Sequence, residues 1–304
     1  MSHTQSLVPE PTPWGVVSVV GVGLIGGSLA AGLRRRGLAR EVVGVGRDAS
    51  RLEAAVERGL IDTATSDLAA AATRSDLLVY CTPVDRIAAG IAAAAPHCRP
   101  GTLLTDAGSV KQSICRAVAE VLPQGVEFLG GHPMAGGESQ GYLAADPELF
   151  VGRRCVLTDC GLASQPTQAR LAALWRGLGA RVVLLSPQEH DRLAAIGSHV
   201  PHVVAAILAG NLPTEAFPLA ASGFRDTTRI AAGDPGLWTA ILQANREQVL
   251  GELDRFADSL REWRGRLAVD DADGVGQLLA RGQARRAEWL REFAATTEEH
   301  QEQE

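Results

Sequence analysis

Val16-Val17-Ser18-Val19-Val20-Gly21-Val22-Gly23-Leu24-Ile25-Gly26-Gly27-Ser28 is the stretch on which the fold turns. Residues 16–20 are β-branched and end on glycine, which predicts a buried strand. Residues 26–36 carry helical periodicity. Between them, Gly21, Gly23 and Gly26 have the GxGxxG spacing. In an Ala/Gly-rich chain that spacing arises by chance, but between a strand and a helix it is the turn that holds a dinucleotide. Gly21 permits the tight turn, Gly23 lets the backbone approach a pyrophosphate, and Gly26 allows helix and strand to pack closely. Leu24 and Ile25 open the helix, whose free N–H groups and positive dipole end favour an anion.

The same alternation continues outward. Strands are expected at 41–45, 76–81, 102–105, 127–129, 155–158 and 181–185, and helices at 50–58, 85–95 and 109–121. Strands alternating with helices of this length imply a parallel sheet covered on both faces. After Ser186-Pro187 the strands stop. A long Ala/Val/Leu stretch follows from 190 to 212, then a shorter helical region over 217–232. Leu250, Leu253, Phe256, Leu260, Trp263 and Leu267 keep the three-to-four spacing of an amphipathic helix, and a last helix is expected near 273–293. The organisation is therefore a flexible tail over 1–15 and a Rossmann-type doubly wound α/β domain over 16–186. An all-α helical substrate and dimerisation domain then occupies 187–295, with a polar tail at 296–304.

Composition sets the outer limits. The chain has 304 residues, 46% hydrophobic and 21% charged, which is ample for a packed core. A net charge of −6 argues against a nucleic-acid partner. No uninterrupted apolar run reaches the roughly 18 residues of a membrane span, and the N-terminus lacks the pattern of an export signal. Five cysteines without CxxC spacing are expected to be reduced thiols in a cytoplasmic protein. Of 29 basic residues only one is a lysine, Lys111.

Three segments lie where strand ends open onto a bound dinucleotide. At the end of the second strand, Val43-Gly44-Val45-Gly46-Arg47-Asp48 places glycine where NAD enzymes usually carry an acid for the ribose hydroxyls. Arg47 is then free to accept a 2′-phosphate, which leans the cofactor toward NADP over NAD; a two-residue shift of register would put Asp48 there instead. In Thr105-Asp106-Ala107-Gly108-Ser109-Val110-Lys111, Ser109 is either a helix cap or a hydroxyl aimed at nicotinamide and substrate. In Gly130-Gly131-His132-Pro133-Met134-Ala135-Gly136-Gly137-Glu138, a histidine between glycines and a proline is poorly suited to a core. Its neutral-range titration suits removal of an alcohol proton during hydride loss, so His132 is the expected general base.

GVGLIGGS, DAGSVK, GGHPMAGGE, SHVPH and GFRDTTRIA together, in order over about residues 16–295, resemble the prephenate/arogenate dehydrogenases of tyrosine biosynthesis. The resemblance implies a Rossmann domain followed by a helical domain that forms a homodimer. It implies oxidative decarboxylation of prephenate to 4-hydroxyphenylpyruvate, or of arogenate to tyrosine. It casts His132 as the base for the ring hydroxyl and Ser109 as its hydrogen-bonding partner beside the nicotinamide. Arg229 resembles the arginine that grips a substrate carboxylate, and Arg225 matches a basic position one turn earlier. His202 and Trp238 resemble groups at the substrate pocket, Asp191 and His199 supporting polar groups, and Glu138 a guard of the entrance. No metal is expected: His199 and His202 are three apart but lack a third ligand.

Two rival readings compete with this one. A β-hydroxyacid dehydrogenase would need a catalytic lysine in the helical half, and no lysine follows Lys111. A non-catalytic NADP-binding sensor would need no base at the nicotinamide, against which His132 and Ser109 count.

Overall fold

A computed structural model of the chain describes residues 12–136 and 141–298. One compact unit extends to Asn245 and a second begins at Arg246.

The first unit is built on an eight-stranded sheet in the order β3-β2-β1-β4-β5-β6-β7-β8. Its strands are β1 (Trp14–Val20), β2 (Ala39–Val45), β3 (Thr63–Thr65), β4 (Leu77–Tyr80), β5 (Leu103–Asp106), β6 (Glu127–Pro133), β7 (Arg154–Thr158) and β8 (Arg181–Leu185). Its crossovers carry helices α1 (Leu24–Arg35), α2 (Ala49–Glu57), α3 (Leu68–Arg74), α4 (Val84–Ala94), α5 (Gln112–Ala119) and α6 (Gln165–Gly177). Strand order reverses beside β1, so the ends of β1, β4, β5 and β6 open together at the switch point where such sheets bind ligands.

β4 shows why the sheet is buried on both faces. Leu77 and Val79 pack into a core with Leu29, Leu33, Phe150 and Trp175. Leu78 and Tyr80 point the other way, into a core with Ile87, Ile91, Ile114 and Phe128. A strand covered twice reads as an unbroken apolar run, as LLVY does.

Four features differ from the sequence reading. Trp14 and Gly15, assigned to the tail, are the first residues of β1, with Trp14 buried and paired to Ala39. The edge strand β3 is three polar or small residues and gives no apolar signal. Helices α3 and α6 were not anticipated. The sheet is also not wholly parallel, because β7 runs antiparallel to β6. Among the described residues of the connection from 134 to 153, the helical structure is a short 3₁₀ turn at Tyr142–Ala144. Without a crossover helix to carry the chain back along the sheet, it re-enters antiparallel.

The helical part of the first unit comprises α7 (Pro187–Ala194), a π-turn at Ala195–His199, α8 (Val200–Gly210), α9 (Ser222–Thr228) and α10 (Pro235–Ala244). Pro187–Gly210 is one 24-residue helical run, long and apolar enough by length and composition to cross a membrane. In the sequence its apolar residues are broken by Ser198, His199 and His202, so no unbroken run stands out, and the start of the helix carries His190 and Asp191. The side chains of His190 and Asp191 are buried and hydrogen-bonded to the sheet half, which ties the helix into this fold.

The second unit is a helical hairpin of α11 (Arg246–Ala268) and α12 (Ala272–Glu298). Asp270 turns the chain at φ 54°, and Asp271 caps α12 by accepting from Gly274 N at 2.9 Å. Leu250, Phe256, Leu260 and Leu267 of α11 are exposed, as are Leu279, Trp289, Leu290 and Phe293 of α12.

Candidate active site

The glycine turn has the geometry its spacing predicts. Gly21 sits at φ 96°, and a Cβ there would lie 2.9 Å from the Cys81 carbonyl oxygen. A Cβ on Gly26 would run into the Gly21 carbonyl, whereas one on Gly23 would meet nothing within 4 Å. Gly23 is also the N-cap of α1 and offers no side chain to the first-turn N–H groups. Those groups, at Leu24 and Ile25 among others, have no intrahelical acceptor and face an open approach. Thr82, just past β4, adds a feature the sequence reading missed. Its Oγ1 is buried without a hydrogen-bond partner among the described residues, and its methyl lies against the Gly21 turn. An orphaned hydroxyl beside a bare helix N-terminus fits a phosphate- and ribose-bearing cofactor. The available signal was a polar residue directly after a buried strand.

At the end of β2 the structure fixes the register. Val45 is the last strand residue, paired with Val20, and Gly46 follows it. Asp48 is occupied elsewhere: it caps α2, accepting from Arg51 N at 3.1 Å and Ser50 Oγ at 2.8 Å. Both contacts hold its carboxyl below the usual range. Arg47 is exposed and makes no ion pair with a described residue.

The centre of the site is a hydrogen-bonded chain of three side chains. His132, half-buried near the end of β6, shares a 2.8 Å contact between its Nδ1 and His190 Nε2. His190 Nδ1 in turn lies 2.7 Å from Asp191 Oδ1. The same carboxylate receives the N–H groups of Lys111 at 2.8 Å and Gln112 at 2.9 Å, so α7 caps α5 from a distance. The tautomers follow from the donors and acceptors. A carboxylate only accepts, so His190 carries its proton on Nδ1 and presents a bare Nε2. His132 must then donate through Nδ1, which leaves its Nε2 as a free lone pair. Burial first, then the neighbouring His190, Lys111 and His199, pushes the His132 pKa well below 6.5 and keeps that lone pair unprotonated.

Ser109 lies in the bend between β5 and α5, partly exposed. The N-cap position of α5 is Lys111, so the Ser109 hydroxyl is not a cap, and it makes no hydrogen bond to a described residue. Lys111 and Asp106 are both fully buried and form an ion pair.

On the helical side, His202 stacks on Trp238, their rings 3.5 Å apart and 17° from parallel. Its Nδ1 is buried with no partner among the described residues, and burial lowers its pKa. His199 Nδ1 instead lies 3.1 Å from Asn245 Nδ2, which also donates to the Asp191 carbonyl at 2.8 Å. Burial drops the His199 pKa to about 4. No group of three or more metal-binding side chains occurs among the described residues. Arg225, on α9, is exposed and bonded to its neighbour Asp226 at 3.0 Å. Arg229 continues the winding at φ −49° and ψ −44°, so the two arginines lie one turn apart. Glu138 lies outside the described residues.

A glycine-turn nucleotide cradle with an oriented imidazole at the same end of the sheet defines a nicotinamide-nucleotide-dependent dehydrogenase. Comparison with known proteins narrows the class. The family model for the prephenate dehydrogenase nucleotide-binding domain matches residues 29–184, and that for the prephenate dehydrogenase dimerization domain matches residues 186–281. The chain belongs to the prephenate dehydrogenase family. A prephenate dehydrogenase of Bacillus subtilis is 31% identical over 266 residues, covering 85% of this chain and 72% of the relative. The cyclohexadienyl dehydrogenase of Zymomonas mobilis is 32% identical over 266 residues, with 84% and 90% covered. Among solved structures, Synechocystis arogenate dehydrogenase superposes with a TM-score of 0.80 at 34% identity, covering 90% of this chain and 99% of its own. The A. aeolicus prephenate dehydrogenase in complex with hydroxyphenyl propionate and NAD+ does so with a TM-score of 0.85 at 28% identity, covering 91% and 99%.

Proposed function

We propose that this enzyme oxidatively decarboxylates prephenate to 4-hydroxyphenylpyruvate with NAD(P) as acceptor. The observation that carries the reading is the His132–His190–Asp191 chain, which leaves one unprotonated imidazole nitrogen beside the nucleotide cradle. Prephenate carries a hydroxyl at C4 of a cyclohexadiene ring and a carboxylate at C1. His132 Nε2 takes the C4 hydroxyl proton, and Ser109 holds the same oxygen in line. The nicotinamide, when bound, supplies the two-electron acceptor for C4. Loss of the ring carboxylate as CO2 then restores aromaticity, which supplies the driving force. What the protein adds is orientation and charge complementarity. Arg229 binds a substrate carboxylate through its two-pronged guanidinium, with Arg225 one turn away. His202 and Trp238 form the wall, and Glu138 guards the entrance.

Gly21, Gly23, Leu24, Ile25 and Gly26 take the pyrophosphate. Gly46 at the end of β2 and the unpaired Arg47 favour NADP over NAD, since the acid that would repel a 2′-phosphate is absent. Residues 16–186 serve the nucleotide and 187–295 the substrate and pairing of two copies, in the cytoplasm and without nucleic-acid or membrane partners. Arogenate is the second reading, favoured by the 34% identity to an arogenate dehydrogenase. Absorbance at 340 nm with prephenate and arogenate, each with NAD and NADP, tests the reaction, the substrate and the cofactor. Cofactor binding without turnover of either substrate would refute the enzyme reading in favour of a sensor.

A further inference from the structure

The only lysine of the chain is fully buried, an unusual place for an ammonium group. Its Nζ pairs with Asp106 and also donates to the Gly131 carbonyl at 2.7 Å. Asp106 holds the other side of the same residue, accepting from Gly131 N at 3.2 Å, and takes Gly108 N at 2.9 Å. Gly131 directly precedes His132, and Gly108 directly precedes Ser109. The pair thus grips both strand ends immediately before the two residues that act on the hydroxyl. The main chain of Lys111 reaches the site by a second route, through its N–H to Asp191, and so to His190 and the His132 ring.

We propose that Lys111 is a positioning residue for His132: its buried ammonium, locked to Asp106, closes a ring of hydrogen bonds that holds the imidazole in place opposite Ser109. The ring runs from the Lys111 N–H through Asp191, His190, His132 and Gly131 back to Lys111 Nζ. Backbone and side chain of the base are therefore fixed by one residue acting at both ends. The charge has its own consequence, because a cation held in a dry site repels a second proton on His132. The other titratable groups around His132 are Asp106 on β5, Cys155 on β7, His190 and Asp191 on α7, and His199 in the π-turn. Among these, Lys111 is the resident cation. The inference rests on His132 being the base, and its test does not require turnover.

Lys111→Met alone strands the buried Asp106 charge and risks unfolding. Lys111→Met combined with Asp106→Asn removes both charges at nearly constant volume and is the decisive variant. The full-length protein, labelled with 13C-histidine, is titrated by NMR with and without the substitutions, and His132 is assigned from His132→Asn. With the ring opened and the site no longer dry, the His132 resonance should titrate higher, toward the ordinary imidazole range. Turnover should fall roughly ten- to a hundredfold with the KM for NAD(P) unchanged. A folded double variant whose His132 titrates like the native protein overturns the proposal, whether or not turnover falls. If the native enzyme turns over neither substrate, the proposed function fails while the titration still reports on Lys111.

Discussion

Replacing His190 by phenylalanine tests whether the base owes its tautomer to its neighbour. The ring volume is nearly kept, and Asp191 retains its two main-chain donors, Lys111 N at 2.8 Å and Gln112 N at 2.9 Å, so α5 stays capped. What disappears is the acceptor 2.8 Å from His132 Nδ1. Without it, His132 is free to carry its proton on Nε2, where it cannot serve as a base. The bond is polarised by the carboxylate behind it, and hydrogen bonds linked to charge are worth about 1.5–3 kcal/mol. Turnover should therefore fall about ten- to a hundredfold. Stopped-flow measurement of NAD(P)H formation in a single turnover reads the chemical step directly, and kcat and kcat/KM should fall together. Asp191→Asn serves as the contrast. Asp191 Oδ1 meets both Lys111 N and His190 Nδ1, whereas Oδ2 meets only Gln112 N. The amide will turn its NH2 toward Gln112 and keep its oxygen toward His190, so the tautomer survives. Its main cost is one unmade helix-cap bond, about 1–3 kcal/mol of stability. If His190→Phe retains turnover within about twofold of the native enzyme, the tautomer argument is wrong and His132 is oriented by something else.

Three further outcomes follow from the geometry. Arg47→Ala should weaken NADP about ten- to a hundredfold more than NAD, read by fluorescence titration, and equal losses for both would show that the guanidinium does not meet the 2′-phosphate. His132, His199 and His202 all have folded-state pKa values below 6.5, so the unfolded chain binds more protons in acid. Their contribution to stability is intact above 6.5 and is lost as pH falls toward about 4, the His199 value, which a thermal melting series would show as a falling Tm. A Tm that rises over that window would contradict the buried neutral histidines. Phe256→Asp should dissociate the proposed dimer, seen by sedimentation as a shift toward the 31.9 kDa chain mass, because it puts a charge into the exposed apolar face of α11. A native protein that already sediments as one chain would remove the dimer altogether.

Much of this molecule was legible because its signals are local. The glycine turn spans eight residues, and each glycine's role depends on atoms a few positions away or on the next strand. The placing of His132 was legible for the same reason: it sits among glycines at the end of a strand whose neighbours were already placed. Other elements gave no local signal. Strand β3 is three residues at an exposed edge, so nothing in it alternates. The antiparallel return of β7 depends on a connection without a crossover helix, and composition does not reveal that.

The relay lies at the far end of that scale. His132 and His190 are 58 positions apart, and Asp191 caps a helix 79 to 80 positions before it. No spacing rule links such residues, and His190 reads in the sequence as one polar residue at the start of an apolar helix. Its function is created by docking α7 on α5. That placement has a consequence for how the enzyme is assembled. The nucleotide cradle draws on the ends of β1, β2 and β4 and the start of α1, but the tautomer of the proposed base is set only after the helical segment has packed onto the sheet. Damage to α7 should therefore abolish chemistry before it abolishes nucleotide binding, while damage to the glycine turn should remove both.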